Sequence, residues 1–81
     1  MFVSGNGSVN LECYQSTTKS ISFGKTFSSI PTVVVILKLS NPDSWQEYSI
    51  SNITTTKFSL YIKRFGEGSS GYIPYHWYAR N

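Results

Sequence analysis

The feature that most constrains the fold of this 81-residue chain is the alternation of apolar and polar residues in short segments. In the segment 58–63, which reads Phe-Ser-Leu-Tyr-Ile-Lys, every second side chain is a phenyl or aliphatic group. A side-chain period of two is that of a β-strand with one buried face. Alanine, the best helix former, occurs once, whereas Ser, Thr, aromatic and β-branched residues prevail. The sequence therefore predicts an all-β fold.

Turn-forming residues divide the chain into six such segments. The predicted strands are 8–13, 18–23, 32–39, 48–53, 58–63 and 72–80. The segment 32–39 is apolar at most positions, which is typical of a strand buried on both faces, one of which could be a subunit interface. Residues 1–7 contain Gly5-Asn6-Gly7 and are predicted to form a flexible entry or linker. Six short strands without helices predict a single domain over residues 8–81, a six-stranded antiparallel β-sandwich.

The length of the chain limits how such a domain can be stabilised, because a domain of this size buries only a modest core. Small scaffolds usually add a disulfide, a metal ion or oligomerisation. Cys13 is the only cysteine, so no intrachain disulfide is possible. Cys13 and His76 cannot supply the about four ligands of a structural zinc site, so no cofactor is predicted. Oligomerisation remains as the stabilising device, and a well-packed monomer is the alternative.

The composition excludes several classes of protein. Aromatic residues make up 16% of the chain, and this content together with the β-branched run 32–36 excludes disorder. No apolar stretch approaches the about 20 residues that cross a bilayer, and residues 1–20 lack the pattern of a signal peptide. The net charge of +3 comes from scattered Lys and Arg, whereas a nucleic-acid footprint clusters them on one face. Nucleic-acid binding is therefore the weakest of the functions considered.

The residues that could perform acid–base chemistry are few. The carboxylates are Glu12, Asp43, Glu47 and Glu67, and the only histidine is His76. A glycosidase needs two carboxylates placed across a cleft, and a catalytic triad needs a nucleophile and an acid beside the histidine. Neither arrangement can be assembled from this sequence, which predicts that the protein is not an enzyme.

Several apolar motifs occur in an order and spacing typical of one family. They are Ile21-Ser22-Phe23, the run 31–35, the segment 50–58 and His76-Trp77-Tyr78-Ala79. Over residues 8–80 the chain resembles the H-type lectin domain family. The resemblance implies a six-stranded antiparallel β-sandwich that assembles as a homotrimer and binds N-acetylgalactosamine or a related sugar in clefts between subunits. It also implies an extracellular, cell-surface or virion location.

The resemblance places the family's sugar-binding positions on three aromatic residues. Trp45 stands near the position of the family's arginine, Phe65 stands at the tryptophan of its Trp-His pair, and Tyr72, with a one-residue slip, stands at its tyrosine. With the nearby Asp43 and Glu47, these residues form the predicted carbohydrate site. Aromatic faces pack on the C–H surfaces of sugars, and polar groups bind the hydroxyls. Each aromatic also has a structural alternative, which is packing on the core or on a subunit.

Two functions remain open from the sequence. The first is a carbohydrate-binding module, a trimeric lectin. The second is a structural trimerising or receptor-binding tip domain at the C-terminus of a phage or bacterial surface protein, which the missing secretion signal and the lost polar sugar ligands favour. Asn52-Ile53-Thr54 also matches the N-glycosylation triplet, which matters only in a eukaryotic secretory source.

Overall fold

A computed structural model describes residues 1–38, 45–65 and 71–81, and these form six strands in two three-stranded sheets. The strands are β1 (Phe2–Asn10), β2 (Ser16–Ser22), β3 (Thr32–Leu37), β4 (Trp45–Ser51), β5 (Lys57–Phe65) and β6 (Tyr72–Arg80). The front sheet has the order β1-β6-β3 and the back sheet the order β2-β5-β4, and all neighbouring strands are antiparallel. The prediction of an all-β, six-stranded antiparallel β-sandwich is confirmed. The described residues include no helix that could cross a membrane.

The core lies between the sheets and is built mainly by the two central strands, on which every second side chain points inward. The buried apolar residues of these strands are Phe58, Leu60 and Ile62 on β5 and Ile73, Tyr75, Trp77 and Ala79 on β6. The ring of Phe58 stacks on Phe23 at a centroid distance of 5.6 Å and meets the edge of Trp77 at 5.7 Å. Burying such rings supplies most of the stabilisation of a small domain. The half-buried strand predicted from the alternation over residues 58–63 is therefore confirmed.

Strand β3 differs from the prediction of two buried faces. Val35 is 3% exposed and faces the back sheet, whereas its neighbour Ile36 is 51% exposed. A three-stranded sheet in a two-layer sandwich has one covered face and one face open to water. Within one chain the apolar run therefore fills the core with alternate residues and places the others on the outer face of the front sheet.

Strand β1 begins earlier than predicted, because residues 2–7, expected to be a flexible entry, pair with β6 from Phe2 opposite Arg80 onward. The strand ends at Asn10 rather than at residue 13. A Cβ atom at Gly5 would lie 2.7 Å from Nε1 of Trp77, so glycine at this position makes room for the indole ring. The glycines that suggested a turn are thus needed for packing. Glycine is favoured both in a turn and beside a closely packed ring, so the sequence alone does not distinguish the two roles.

Replacing Gly5 by alanine tests this packing. We expect Gly5→Ala to lower the free energy of unfolding by about 1–3 kcal/mol, because the new methyl group displaces the Trp77 ring from the core. Ser4→Ala, at the neighbouring exposed position, is the matched control and is expected to change stability by less than about 0.5 kcal/mol. Urea unfolding followed by tryptophan fluorescence measures both values. Equal losses in the two variants would show that the indole does not require glycine.

Different residues lie at the two ends of the sandwich. At one end, the terminal end, Phe2 lies opposite Arg80, so the first and last strands meet there. At the other end, the loop end, β6 starts with Tyr72, and Trp45 lies opposite Phe65 across β4 and β5. The aromatic residues predicted to bind sugar therefore lie at the loop end, away from Phe2 and Arg80.

Candidate functional site

Three of the predicted site residues belong to the loop end of the back sheet. Trp45 is the Cα partner of Phe65, and Glu47 is the Cα partner of Lys63. The Lys63 ammonium lies 4.9 Å from the centroid of the Phe65 ring, within the range of a cation–π contact. Phe65 is half-buried and Glu47 is exposed, so this patch offers an aromatic surface beside one cation and one carboxylate. Asp43 and the side chain of Trp45 lie outside the described residues.

Tyr72 lies on the opposite side of the sandwich. Its neighbour Ile73 is 1% exposed and fills the core, so Tyr72, 50% exposed, faces outward from the front sheet. Phe65 follows the buried Arg64 on β5 and shares the outer face of the back sheet with Lys63. Packed sheets are about 10 Å apart, so one small sugar cannot stack on both rings of a single chain. The structure brings Phe65, Glu47 and the Trp45 backbone together but separates them from Tyr72.

Arg64 lies beneath the loop end and is not among the predicted site residues. Its side chain is 4% exposed, and its Nη1 donates a hydrogen bond of 2.9 Å to the Leu11 carbonyl oxygen. The Leu11 amide in turn donates to the carbonyl of Gly71, also at 2.9 Å. Because a buried guanidinium must be hydrogen-bonded, this chain of contacts ties the end of β5 to the residue that precedes Tyr72. The sequence contains a signal for this buried role, because Arg64 falls at an inward position of the alternating strand.

Close packing fixes the same junction. A Cβ atom at Gly71 would overlap the Leu11 carbonyl oxygen and lie 3.0 Å from Nη1 of Arg64, so no side chain fits there. Gln46, the Cα partner of Arg64, has a buried Oε1 atom without a hydrogen-bond partner among the described residues. Such an oxygen can accept a hydrogen bond from water or from a ligand hydroxyl. Buried polar groups of Arg64 and Gln46 therefore lie beneath the aromatic residues of the loop end.

The outer face of the front sheet carries several exposed apolar side chains. Phe2 is 61% exposed, and its ring stacks on that of Tyr78 at a centroid distance of 5.7 Å. Ile36 and Tyr72 on the same face are each about half exposed. None of the strands β1, β3 and β6 contains an aspartate or a glutamate. Exposed apolar side chains mark an interaction surface where they form a contiguous patch.

The chemistry available at these positions is that of noncovalent binding. Across residues 1–38, 45–65 and 71–81, no three His, Cys, Asp or Glu side chains form a group that could hold a metal ion. The functional groups present are aromatic faces, a carboxylate, an ammonium and hydroxyls, which together suit a ligand with both C–H surfaces and hydroxyl groups.

The comparison with protein families agrees with this chemistry. The family model described as the H-type lectin domain matches residues 18–80. Because the match covers more than half of the chain, the chain belongs to the H-type lectin domain family, and the predicted resemblance is confirmed. This family is carbohydrate-binding and non-enzymatic, so the protein is a lectin in the general sense. No curated protein matches the chain. The matched segment begins within β2, and the domain start at residue 8 stays a prediction.

Proposed function

We propose that the protein is a homotrimeric lectin that binds a sugar in clefts between neighbouring subunits. The placement of Phe65 and Tyr72 on opposite outer faces carries this proposal. In a closed ring of identical chains, the back face of one subunit can meet the front face of the next. Such an arrangement unites Phe65 of one chain with Tyr72 of its neighbour, which no single chain can do.

The side chains at the loop end have separate roles in this site. The Phe65 ring packs on the C–H face of the sugar, and the Lys63 ammonium lies over the same ring. Trp45 is the Cα partner of Phe65, and the resemblance to the family also assigns it to this site. Glu47 accepts hydrogen bonds from sugar hydroxyls, and the Tyr72 hydroxyl of the next subunit donates or accepts one. With Asp43, these residues suit N-acetylgalactosamine or another hexose, bound mainly through its apolar face.

Self-association is supported by the apolar outer face of the front sheet. Phe2, Ile36 and Tyr72 expose about half or more of their surface there, and no acidic side chain from β1, β3 or β6 interrupts the face. In the proposed ring, the back face of the neighbouring chain covers this apolar surface. Because Tyr72 belongs to this face, the subunit contact and the sugar site are continuous. A lectin of this kind acts outside the cell, at a cell surface or on a virion.

A glycan array that includes N-acetylgalactosamine and unsubstituted hexoses tests sugar binding. We expect binding to at least one hexose, and Phe65→Ala is expected to weaken it about 30-fold, the effect of losing a central aromatic worth about 2 kcal/mol. Tyr61→Ala is the matched control, because Tyr61 lies on the same strand and face but four residues from Phe65. An array without any bound sugar at high protein concentration would contradict the proposal, as would equal weakening by the two substitutions.

The second candidate function is a trimerising or receptor-binding tip domain of a phage or bacterial surface protein. The pairing of Phe2 with Arg80 favours a position at the C-terminus of such a protein, because a preceding chain could enter at the terminal end and present the loop end outward. Trimers in light scattering together with an array that binds no sugar would support a purely structural tip domain. A tip domain that also binds a host glycan would combine the two functions.

A further inference from the structure

We propose that the terminal end of the sandwich docks on the surface of an anionic lipid membrane. Cations of this end bind the phosphate headgroups, and one apolar side chain enters the headgroup region. The residues concerned lie on a single chain, at the opposite end from the candidate sugar site. Membrane docking is thus a function beyond sugar binding, and neither function requires the other.

The charged side chains of the terminal end are all positive. Lys25 lies in the connection between β2 and β3, Lys57 begins β5, and Arg80 ends β6. All three are exposed. No aspartate or glutamate occurs in the segments that form this end, which are 1–5, 20–34, 49–59 and 77–81. The fold therefore gathers at one end three cations that are scattered in the sequence.

The carboxylate side chains of the described residues lie at the other end. Glu12 follows β1 at the loop end, and Glu47 lies there opposite Lys63. At the terminal end, the Asn81 amide donates to the Met1 carbonyl oxygen at 3.3 Å, so the terminal ammonium and carboxylate of the 81-residue chain lie close together and offset each other. The terminal end keeps a positive potential, which is complementary to an anionic surface.

Backbone hydrogen bonds hold two of the cations near each other. The amides of Phe23 and Phe27 donate to two carbonyl oxygens of the segment 55–56, at 2.9 and 2.8 Å. Lys25 lies between these two donors, and the segment 55–56 leads directly into Lys57. The connection that carries Lys25 is therefore fixed beside the start of β5.

The apolar contact of the proposed surface is Ile30, which is 65% exposed. The Asn81 side chain donates to the carbonyl and hydroxyl oxygens of Ser29, at 3.2 and 2.9 Å, and Pro31 is buried. Ile30 thus projects into water between two anchored neighbours, with Arg80 adjacent to Asn81. An aliphatic side chain beside cations suits a lipid surface, where the cations bind headgroups and the apolar group is buried. A hydrophilic polyanion would use the cations but would gain nothing from Ile30.

The proposed trimer would strengthen this contact. Its sugar site joins Phe65 of one loop end to Tyr72 of the next, so neighbouring chains run in the same direction. Three terminal ends then share one side of the assembly, and the sugar sites lie on the other. Each Lys or Arg near an anionic bilayer strengthens binding about fivefold, and simultaneous contact by three ends multiplies the effect. A docked trimer would present its sugar sites away from the membrane.

Cosedimentation of the full chain with lipid vesicles tests the proposal. We expect binding to vesicles that contain phosphatidylglycerol, no binding to vesicles of phosphatidylcholine alone, and loss of binding at about 0.5 M salt. Lys57→Gln is expected to weaken binding at least about fivefold. Lys38→Gln is the matched control, because it removes the same charge from an exposed position at the loop end. Circular dichroism checks that each variant retains its β-sheet.

Ile30→Ser distinguishes a lipid surface from a hydrophilic polyanion. We expect this substitution to weaken vesicle binding about fivefold and to leave retention on a heparin column unchanged. Retention on heparin without binding to vesicles would overturn the lipid surface in favour of a polyanion.

Other outcomes also decide the question. Absence of binding to either kind of vesicle, equal binding to both, or equal weakening by Lys57→Gln and Lys38→Gln would each overturn the proposal. A chain that binds sugar but no anionic vesicle contradicts membrane docking alone, whereas a chain that binds the vesicles but no sugar contradicts the lectin proposal alone.

Discussion

Mixing the Phe65→Ala and Tyr72→Ala variants is expected to restore sugar binding that is strongly weakened in each variant alone. Phe65 and Tyr72 face outward from different sheets, so each proposed site takes one residue from each of two chains. In a mixed trimer, a subunit that retains Phe65 can stand beside one that retains Tyr72. Random mixing in equal amounts then rebuilds about a quarter of the sites.

The experiment requires that the two variants be unfolded and refolded together, with mixed trimers verified by native mass spectrometry. A sugar column that retains the mixture but neither parent gives the expected result. The matched control mixes Phe65→Ala with the double variant Phe65→Ala/Tyr72→Ala, which leaves no intact pair in any arrangement. If mixed trimers form and bind no sugar, the two residues do not share a site across subunits.

Phe58→Ala is expected to lower the free energy of unfolding by about 3–5 kcal/mol, the usual cost of removing a large aromatic side chain from a core. Phe58 is fully buried and contacts both Phe23 and Trp77, so the substitution opens a cavity at the centre of the sandwich. A domain has only about 5–15 kcal/mol of total stability. The melting temperature should therefore fall by more than about 10 °C.

Phe65→Ala is the matched control for this prediction, since it removes the same side chain from the outer face of the same strand. We expect it to cost less than about 1 kcal/mol, because the ring is only partly buried. Thermal unfolding followed by circular dichroism measures both variants. Similar melting temperatures for the two variants would mean that Phe65, like Phe58, belongs to the core, and would remove Phe65 from the sugar site.

The central strands of the fold could be predicted from the sequence because their period of two is complete. In β5 and β6 the inward residues are apolar except for Arg64, so burial and local pattern agree at the other positions. Strand β1 was missed at its start because Gly5 and Gly7 carry no side chain that shows the period. Both positions require glycine because the Trp77 and Tyr75 rings of β6 pack against them, and these rings are about 70 residues later in the sequence.

The candidate site was predictable only in part, for the same physical reason. Local alternation indicates that Phe65 and Tyr72 lie at strand ends, but it does not tell which strand joins which sheet. That assignment depends on long-range pairing, such as that of β6 with β1 and β3. Arg64 was overlooked because its acceptor, the Leu11 carbonyl, is distant in sequence and belongs to the backbone. A side-chain pattern carries no information about such an acceptor.

The separation of Phe65 from Tyr72 also has a thermodynamic consequence. If a sugar touches both residues, it holds two chains together, so ligand binding and assembly are linked equilibria. The measured affinity should then depend on the concentration of the protein itself, and dilution below the assembly threshold should abolish recognition even in a large excess of sugar. A saturating glycan should conversely protect the trimer against dilution and heat. The lectin would respond to its own abundance as well as to the glycans around it.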